Sequence, residues 1–217
     1  MKKRLVLIIS LIMVLLLVFT GCGGSGQSAE TEDQAADVTE ETAAEEESAN
    51  DLEGNMYGYS GTDPMELAAY KYMADVVAKN FDEADASIPV ITIIEEDEAN
   101  PDDVLVKGDF WIDNYNIEGD TLMSTSGGNY PGCMHMKKND DGSYEVTSFD
   151  VVADGGGFTE SAKEIFGDKY DDFIAVQSDS DAREAKRLET VTVYVNANEI
   201  PCTQYQDEGW DPVKLHL

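Results

Sequence analysis

The chain is poor in positive charge. Its 217 residues include 14 Lys and Arg against 45 Asp and Glu, so the formal net charge is −31. Proteins that bind nucleic acid place cations against phosphates and release counterions, and this chain has few cations to offer. The composition therefore excludes nucleic acid as a partner.

Histidine and cysteine are also scarce. The chain contains only His135 and His216 together with Cys22, Cys133 and Cys202, and neither His-x-x-x-His nor Cys-x-x-Cys occurs. A structural zinc site needs closely spaced thiolate and imidazole ligands, so none is expected. The acid-rich turn of residues 95–103 is interpreted as a solvated surface, because acid clusters arise by chance in a domain with 34 acids. Residues 179–184 and 113–120 begin like calcium loops but lack glycine at the required position. No metal or cofactor is predicted.

Cys133 and His135 stand two residues apart, and residues at that spacing on a strand lie on the same face. A pair of thiol and imidazole is therefore geometrically possible. The sequence near them shows no acid placed to orient the imidazole, so the favoured interpretation is a histidine on the sheet surface. No catalytic residue is predicted.

One hydrophobic run stands at the N-terminus. Residues 5–19 are apolar except for Ser10, and they follow Lys2, Lys3 and Arg4. At about 1.5 Å per residue the run is shorter than the roughly 30 Å hydrocarbon core of a bilayer. The pattern predicts a signal peptide over residues 1–21.

The sequence Phe19-Thr20-Gly21-Cys22 resembles the lipobox of bacterial lipoproteins, with Phe19 in place of the usual Leu. In that family the cysteine thiol receives diacylglycerol, and the mature chain begins at the cysteine. The resemblance implies lipidation at Cys22, acyl chains such as palmitate, and a lipid anchor on the outer face of the bacterial cell membrane. An uncleaved N-terminal anchor is the alternative, and it also holds the domain outside the cytoplasm.

Residues 22–54 have a different composition. This stretch holds eleven acids, no Lys or Arg, and no aromatic residue. Such a segment buries too little apolar surface to offset its ordering entropy, so a disordered acidic tether is predicted.

Residues 55–217 are predicted to form one extracytoplasmic α+β domain. Asp63 and Pro64 mark the start of a long amphipathic helix that extends to Phe81. β-branched and aromatic runs then predict four strands, with turn-forming residues between them. The predicted strands are 88–96, 104–117, 130–138 and 144–153, and the predicted turns are 98–103, 118–120, 126–129 and 139–142.

The C-terminal part is expected to be largely helical. Thr159 is predicted to cap a short helix that ends before Gly167, and residues 170–177 suggest another helical turn. Residues 181–198 fit either a helix or, at 190–195, a strand, and the helix formers at 182–187 favour the helix. A strand over residues 200–205 is expected to complete a sheet of about four to five antiparallel strands.

A long N-terminal helix laid on an antiparallel sheet resembles the cystatin-like and NTF2-like folds, over residues 63–154 and in topology only. Those folds include binding modules, protease inhibitors and a few enzymes, so the resemblance alone chooses no function.

Two functions are therefore compared. The favoured hypothesis is a lipoprotein that serves as a binding or interaction module for an unknown protein, peptide or small molecule. Phe110, Trp111 and Tyr115 are its candidate contacts, and Trp210 either lines a pocket or packs on the core, with packing favoured. The alternative is a cell-surface hydrolase or other enzyme that uses carboxylates in a cleft.

The cysteine count suggests a disulfide. After lipidation of Cys22, an even pair of Cys133 and Cys202 remains, in a compartment where disulfides persist. A disulfide between them is favoured over two buried unpaired thiols.

Overall fold

The computed structural model describes residue 54 and residues 56–217. The predicted signal peptide, Cys22 and the tether up to residue 53 lie outside the described residues. The described part is an α+β structure with a mostly antiparallel seven-stranded sheet and four α-helices. In chain order the elements are α1 (Pro64–Asp75), β1 (Ala86–Asp97), β2 (Val104–Glu118), β3 (Thr121–Asn129), β4 (Gly132–Lys138), β5 (Tyr144–Val151), α2 (Phe158–Phe166), α3 (Tyr170–Ser178), α4 (Ser180–Ala197), β6 (Gln204–Gln206) and β7 (Val213–Lys214).

Strand β2 organises the sheet. It pairs with β1 along one side, while its other side pairs with β4 in its first half and with β3 in its second half. Strand β5 extends the sheet beyond β4, and the short strands β6 and β7 extend it beyond β3. All pairs are antiparallel except β3 with β6. Pro89 lies within β1, which is compatible with a strand at the edge of the sheet.

The two faces of β2 contact different layers. Side chains alternate along a strand, so even-numbered residues lie on one face and odd-numbered residues on the other. The even-numbered face packs against α1, and we call it the apolar face because its core members are Val104, Val106, Phe110 and Ile112. The odd-numbered face lies under α2, α3 and α4, and we call it the polar face. Its members include Lys107, Asp109, Trp111, Asp113 and Tyr115.

Helix α1 begins where the sequence predicts. The Asp63 carboxylate accepts a hydrogen bond from the Met65 amide at 2.9 Å, and Pro64 is the first helical residue. The predicted extension to Phe81 is wrong, because the α-helix ends at Asp75 and a 3₁₀ turn follows over Val77–Asn80. This turn still places Val77 and Phe81 against the same apolar core.

Strand β3 is the largest departure from the sequence prediction. Residues 126–129, expected to form a turn, are the end of this strand and pair with residues 111–114 of β2. Gly127 explains the close approach, since a Cβ there would lie 2.6 Å from the Ile112 carbonyl oxygen. Pairing with β2 overrides the low strand propensity of serine and glycine.

The C-terminal helices follow the prediction in order and differ in detail. Residues 180–197 form a helix, which confirms the favoured assignment, and Asp179 caps it through the Ala182 amide. Thr159 does not cap α2, because that helix already begins at Phe158. The strand expected at 200–205 is reduced to β6, and β7 brings the strand count to seven rather than four or five.

Candidate functional site in the Trp111 cleft

An open cleft lies between the polar face and helices α3 and α4. Its volume is about 400 Å³, within the range of small-molecule sites. Strands β1 and β2 form one wall, while α3 and the first turns of α4 form the other. We call it the Trp111 cleft and define it by Val90, Asp109, Trp111, Val176, Arg183 and Lys186.

A buried carboxylate holds the Trp111 ring in place. Asp109 is only 4% exposed and accepts hydrogen bonds from the Trp111 indole Nε1 at 2.9 Å and from Asn129 Nδ2 at 2.5 Å. Gln177 of α3 donates a third bond at 2.7 Å. Asp109 forms no ion pair within the described part of the chain, so neutral donors alone satisfy its charge. This network orients the indole and joins β2, β3 and α3.

The Arg183 guanidinium lies over the same ring. Its guanidinium carbon lies 4.7 Å from the Trp111 ring centroid, a favourable arrangement of cation and aromatic face. Its nearest carboxylate is that of Glu184 at 3.9 Å, beyond hydrogen-bonding range. Lys186 follows three residues later, on the same side of α4, and its ammonium lies 3.5 Å from Glu66. Two cations therefore border the cleft in a strongly acidic domain.

A neighbouring ionic network lies on the polar face at Asp113 and Tyr115 of β2. Arg187 is 7% exposed and binds both carboxylate oxygens of Asp207, at 2.7 and 2.8 Å. Its Nε donates to the Tyr115 hydroxyl at 2.9 Å and lies 3.3 Å from an Asp113 oxygen. Burial raises the pKa of Asp113 to about 6, whereas the hydrogen bonds from Arg187 lower the pKa of Asp207. The network joins α4 to β2 and to the segment after β6.

A second cleft of about 580 Å³ contains both Cys133 and His135. The structure supplies the orienting acids that the sequence did not reveal: His135 Nδ1 lies 2.7 Å from Asp103 and Nε2 lies 3.3 Å from Asp150. The bond with Asp103 raises the pKa of the imidazole, while burial raises the pKa of the Cys133 thiol to about 11. Both ring nitrogens are occupied by carboxylates and the thiol stays protonated, so the pair is not arranged as nucleophile and base.

The predicted disulfide is wrong. Cys133 and Cys202 are both free and buried. Cys133 pairs with Lys107 near the start of β2, whereas Thr203 donates to the Asp120 carbonyl beyond the end of β2. The part of β2 from Lys107 to Glu118 separates the two cysteines along the sheet, and its eleven residue steps span about 35 Å. A disulfide needs Cα atoms within about 7 Å.

The four aromatic residues proposed as ligand contacts have different environments. Phe110 is fully buried on the apolar face, and Tyr115 is fully buried beside Arg187, so neither contacts a ligand. Trp111 alone lines a cleft. Trp210 is 75% exposed in the loop between β6 and β7, so the favoured prediction that it packs on the core is wrong.

Sequence reasoning missed Asp109, Gln177, Asn129 and the role of Arg183. The alternation Asp109, Trp111, Asp113 along one strand was a usable signal, because these three side chains share a face. Arg183 was interpreted only as a helix former. Nothing local connects it to Trp111, which lies 72 positions earlier in the chain.

Two acids of the acid-rich turn bind neighbouring donors. Glu95 binds Lys107 at 2.7 Å, and Glu98 binds Lys138 at 3.0 Å and the Tyr144 hydroxyl at 2.6 Å. Within residues 54 and 56–217, no group of three or more acidic, histidine or cysteine side chains is placed to hold a metal ion.

None of the helices in the described range is both long enough and apolar enough to cross a bilayer. Comparison with protein-family models, with curated proteins and with solved structures finds no match to this chain.

Proposed function

We propose that this protein is a membrane-anchored extracytoplasmic lipoprotein whose folded domain binds a small organic ligand in the Trp111 cleft. The signal sequence and the lipobox-like residues before Cys22 support the anchor. The binding role depends on one observation: an aromatic ring is fixed by a buried hydrogen-bond network yet forms a wall of an open cleft. Aromatic rings with a few placed polar groups are typical of ligand sites.

On the polar face, the alternative of an enzyme with carboxylate catalysis has less support. Such an enzyme needs two carboxylates that converge on open space with suitable pKa values. On the polar face Asp109 is saturated by three neutral donors, and Asp113 lies 3.3 Å from the guanidinium of Arg187. Both acids already have structural partners.

The two tryptophans provide an internal control for a binding experiment. In ¹⁵N-labelled protein, the indole N–H groups of Trp111 and Trp210 give separate signals. We expect at least one compound in a panel of small neutral, anionic and cationic aromatic molecules to shift the Trp111 signal saturably. The Trp210 signal should not move with it, because Trp210 does not line the Trp111 cleft. A panel that leaves the Trp111 signal unchanged up to millimolar concentration would contradict the proposed function.

The anchor is tested separately. Intact-mass measurement on the membrane fraction of a bacterial host should show a chain that begins at a lipid-modified Cys22, with residues 1–21 removed. The variant Cys22→Ser should carry no lipid mass, because the thiol that accepts the diacylglycerol is absent. Recovery of an unmodified chain with Met1 retained would refute lipidation.

A further inference from the structure

Cations are rare in the folded domain, and most that contact the sheet are paired with acids. Residues 55–217 contain 11 Lys and Arg against 34 Asp and Glu. Lys107 binds Glu95 at 2.7 Å, Lys138 binds Glu98 at 3.0 Å, and Arg187 binds Asp207 at 2.7 Å. Arg183 differs from these three, because its closest carboxylate is 3.9 Å away. Arg183 lies on the wall of the Trp111 cleft.

The placement of Arg183 suits a planar anion. The Arg183 guanidinium carbon lies 4.7 Å from the Trp111 ring centroid, and a guanidinium is a planar group that presents parallel N–H donors along an edge. That edge matches the two oxygens of a carboxylate, which arginine binds with two parallel hydrogen bonds. Lys186 supplies a second cation on the same side of α4, and its ammonium lies 3.5 Å from the Glu66 carboxylate.

The rest of the cleft suits an apolar or flat body. Val90 of β1, with Ala175 and Val176 of α3, borders the space beside the Trp111 ring. A positively charged ligand would meet repulsion from Arg183 and Lys186, and the oxygens of Asp109 already accept three hydrogen bonds. Asp179 also lines the cleft, where its carboxylate accepts a hydrogen bond from the Ala182 amide at the start of α4. Salt screens the charge of acids that lie beyond about 8 Å at physiological ionic strength.

We infer that the ligand of the Trp111 cleft is a small organic carboxylate, with its carboxylate on Arg183 and Lys186 and its apolar body against Trp111. This inference rests on the proposed function and specifies its ligand class. It assigns Arg183 as the residue that determines specificity.

Three probes of matched shape test the ligand class: phenylacetate, phenylacetamide and phenethylammonium. Each is titrated into ¹⁵N-labelled protein while the two indole signals are followed. Phenylacetate should bind about tenfold more tightly than phenylacetamide, because hydrogen bonds to an ionised group are stronger than those to a neutral one. Phenethylammonium should bind most weakly. Equal affinity for the acid and the amide would overturn the carboxylate inference while leaving the cleft as a binding site.

Variants assign the effect to Arg183. Arg183→Gln should reduce phenylacetate affinity to the level of phenylacetamide, and Arg183→Lys should give an intermediate value because a lysine ammonium cannot form the planar double contact. Lys163→Gln is the matched control. Lys163 belongs to α2 and lies outside the cleft, with its ammonium 5.2 Å from the centroid of the Tyr170 ring. An unchanged Trp210 signal and dispersed spectrum verify folding. Undiminished phenylacetate binding by Arg183→Gln would refute the role of Arg183, and failure of all three probes to shift Trp111 would refute the binding site itself.

Discussion

The apolar and polar faces of strand β2 differ in the side chains that they bury. On the apolar face, Val104, Val106, Phe110 and Ile112 are fully buried under the single helix α1. On the polar face, Asp109 and Arg187 are buried only because hydrogen bonds and ion pairs satisfy them. Both clefts described above open on this second face.

Both faces have buried apolar clusters, but only the polar face also buries charged groups and borders the two clefts. Apolar side chains close one face with contacts that need no particular partner. Helices α2, α3 and α4 cover the other face, where the buried polar groups require specific partners. Substitutions on the two faces should therefore differ in magnitude, in their response to pH and in whether a second substitution rescues them.

Phe110→Ala should have the largest effect. The ring is fully buried and packs edge-on against Phe149, with centroids 5.3 Å apart. Its removal leaves a cavity and should reduce the free energy of unfolding by about 3–5 kcal/mol, independently of pH. Urea unfolding followed by circular dichroism measures the loss, and Ile117→Ala at a 38% exposed position is the control. A loss below about 1 kcal/mol would contradict the assignment of the main core to this face.

Arg187→Met should cost roughly 3 kcal/mol, near the lower limit for breaking a buried pair, since the Asp207 side chain is 40% exposed. The loss should depend on pH. Burial already raises the pKa of Asp113 to about 6, above the unfolded value of 3.8, so its ionised form is disfavoured in the fold. Without Arg187 this penalty grows, and the loss should be larger at pH 8 than at pH 5.

Asp113→Asn in the same background provides the test of that mechanism. It should restore part of the stability at pH 8, because it removes the buried unpaired charge. No second substitution should rescue Phe110→Ala in this way. An equal loss at both pH values for Arg187→Met would mean that the arginine contributes by packing alone.

Asp109→Asn should reduce stability by about 2 kcal/mol, because the amide group of asparagine would face donors that now require an acceptor. The donors are the Trp111 indole, Asn129 and Gln177. The Trp111 indole signal should shift and that of Trp210 should remain. Asp168→Asn, at an exposed position, is the control. An unchanged Trp111 signal would show that the carboxylate does not orient the ring.

His135→Gln should have the smallest effect, on the order of 1 kcal/mol, since the pairs of His135 with Asp103 and Asp150 are partly solvated. The hydrogen bond to Asp103 raises the pKa of the folded imidazole above its unfolded value of about 6.5. The contribution is therefore fully present below that value and disappears as pH rises through the folded pKa. Unfolding at pH 5.5 and pH 9 should show a difference between wild type and variant at the lower pH only.

Local signals in the sequence predicted local structure well. Asp63 followed by Pro64 marked the start of α1, and the helix formers at 182–187 correctly outweighed the β-branched residues that follow them. Strand β3 was missed because its serines and glycines are stabilised by pairing with β2, which no local pattern contains. Trp111 was predicted from the sequence as a ligand contact, but the residues that orient it and lie beside it were not.

The sequence alone determined the acidic charge, the start of the first helix, the positions of β1 and β2 and the alternation that divides β2 into two faces. These properties depend on residues within a few positions of one another. Tertiary structure decided which helix covers which face, placed Cys133 and Cys202 far apart, and brought Arg183 onto Trp111. These contacts join residues that are distant in the chain, and their free energies depend on packing and burial that exist only once the sheet and helices have assembled.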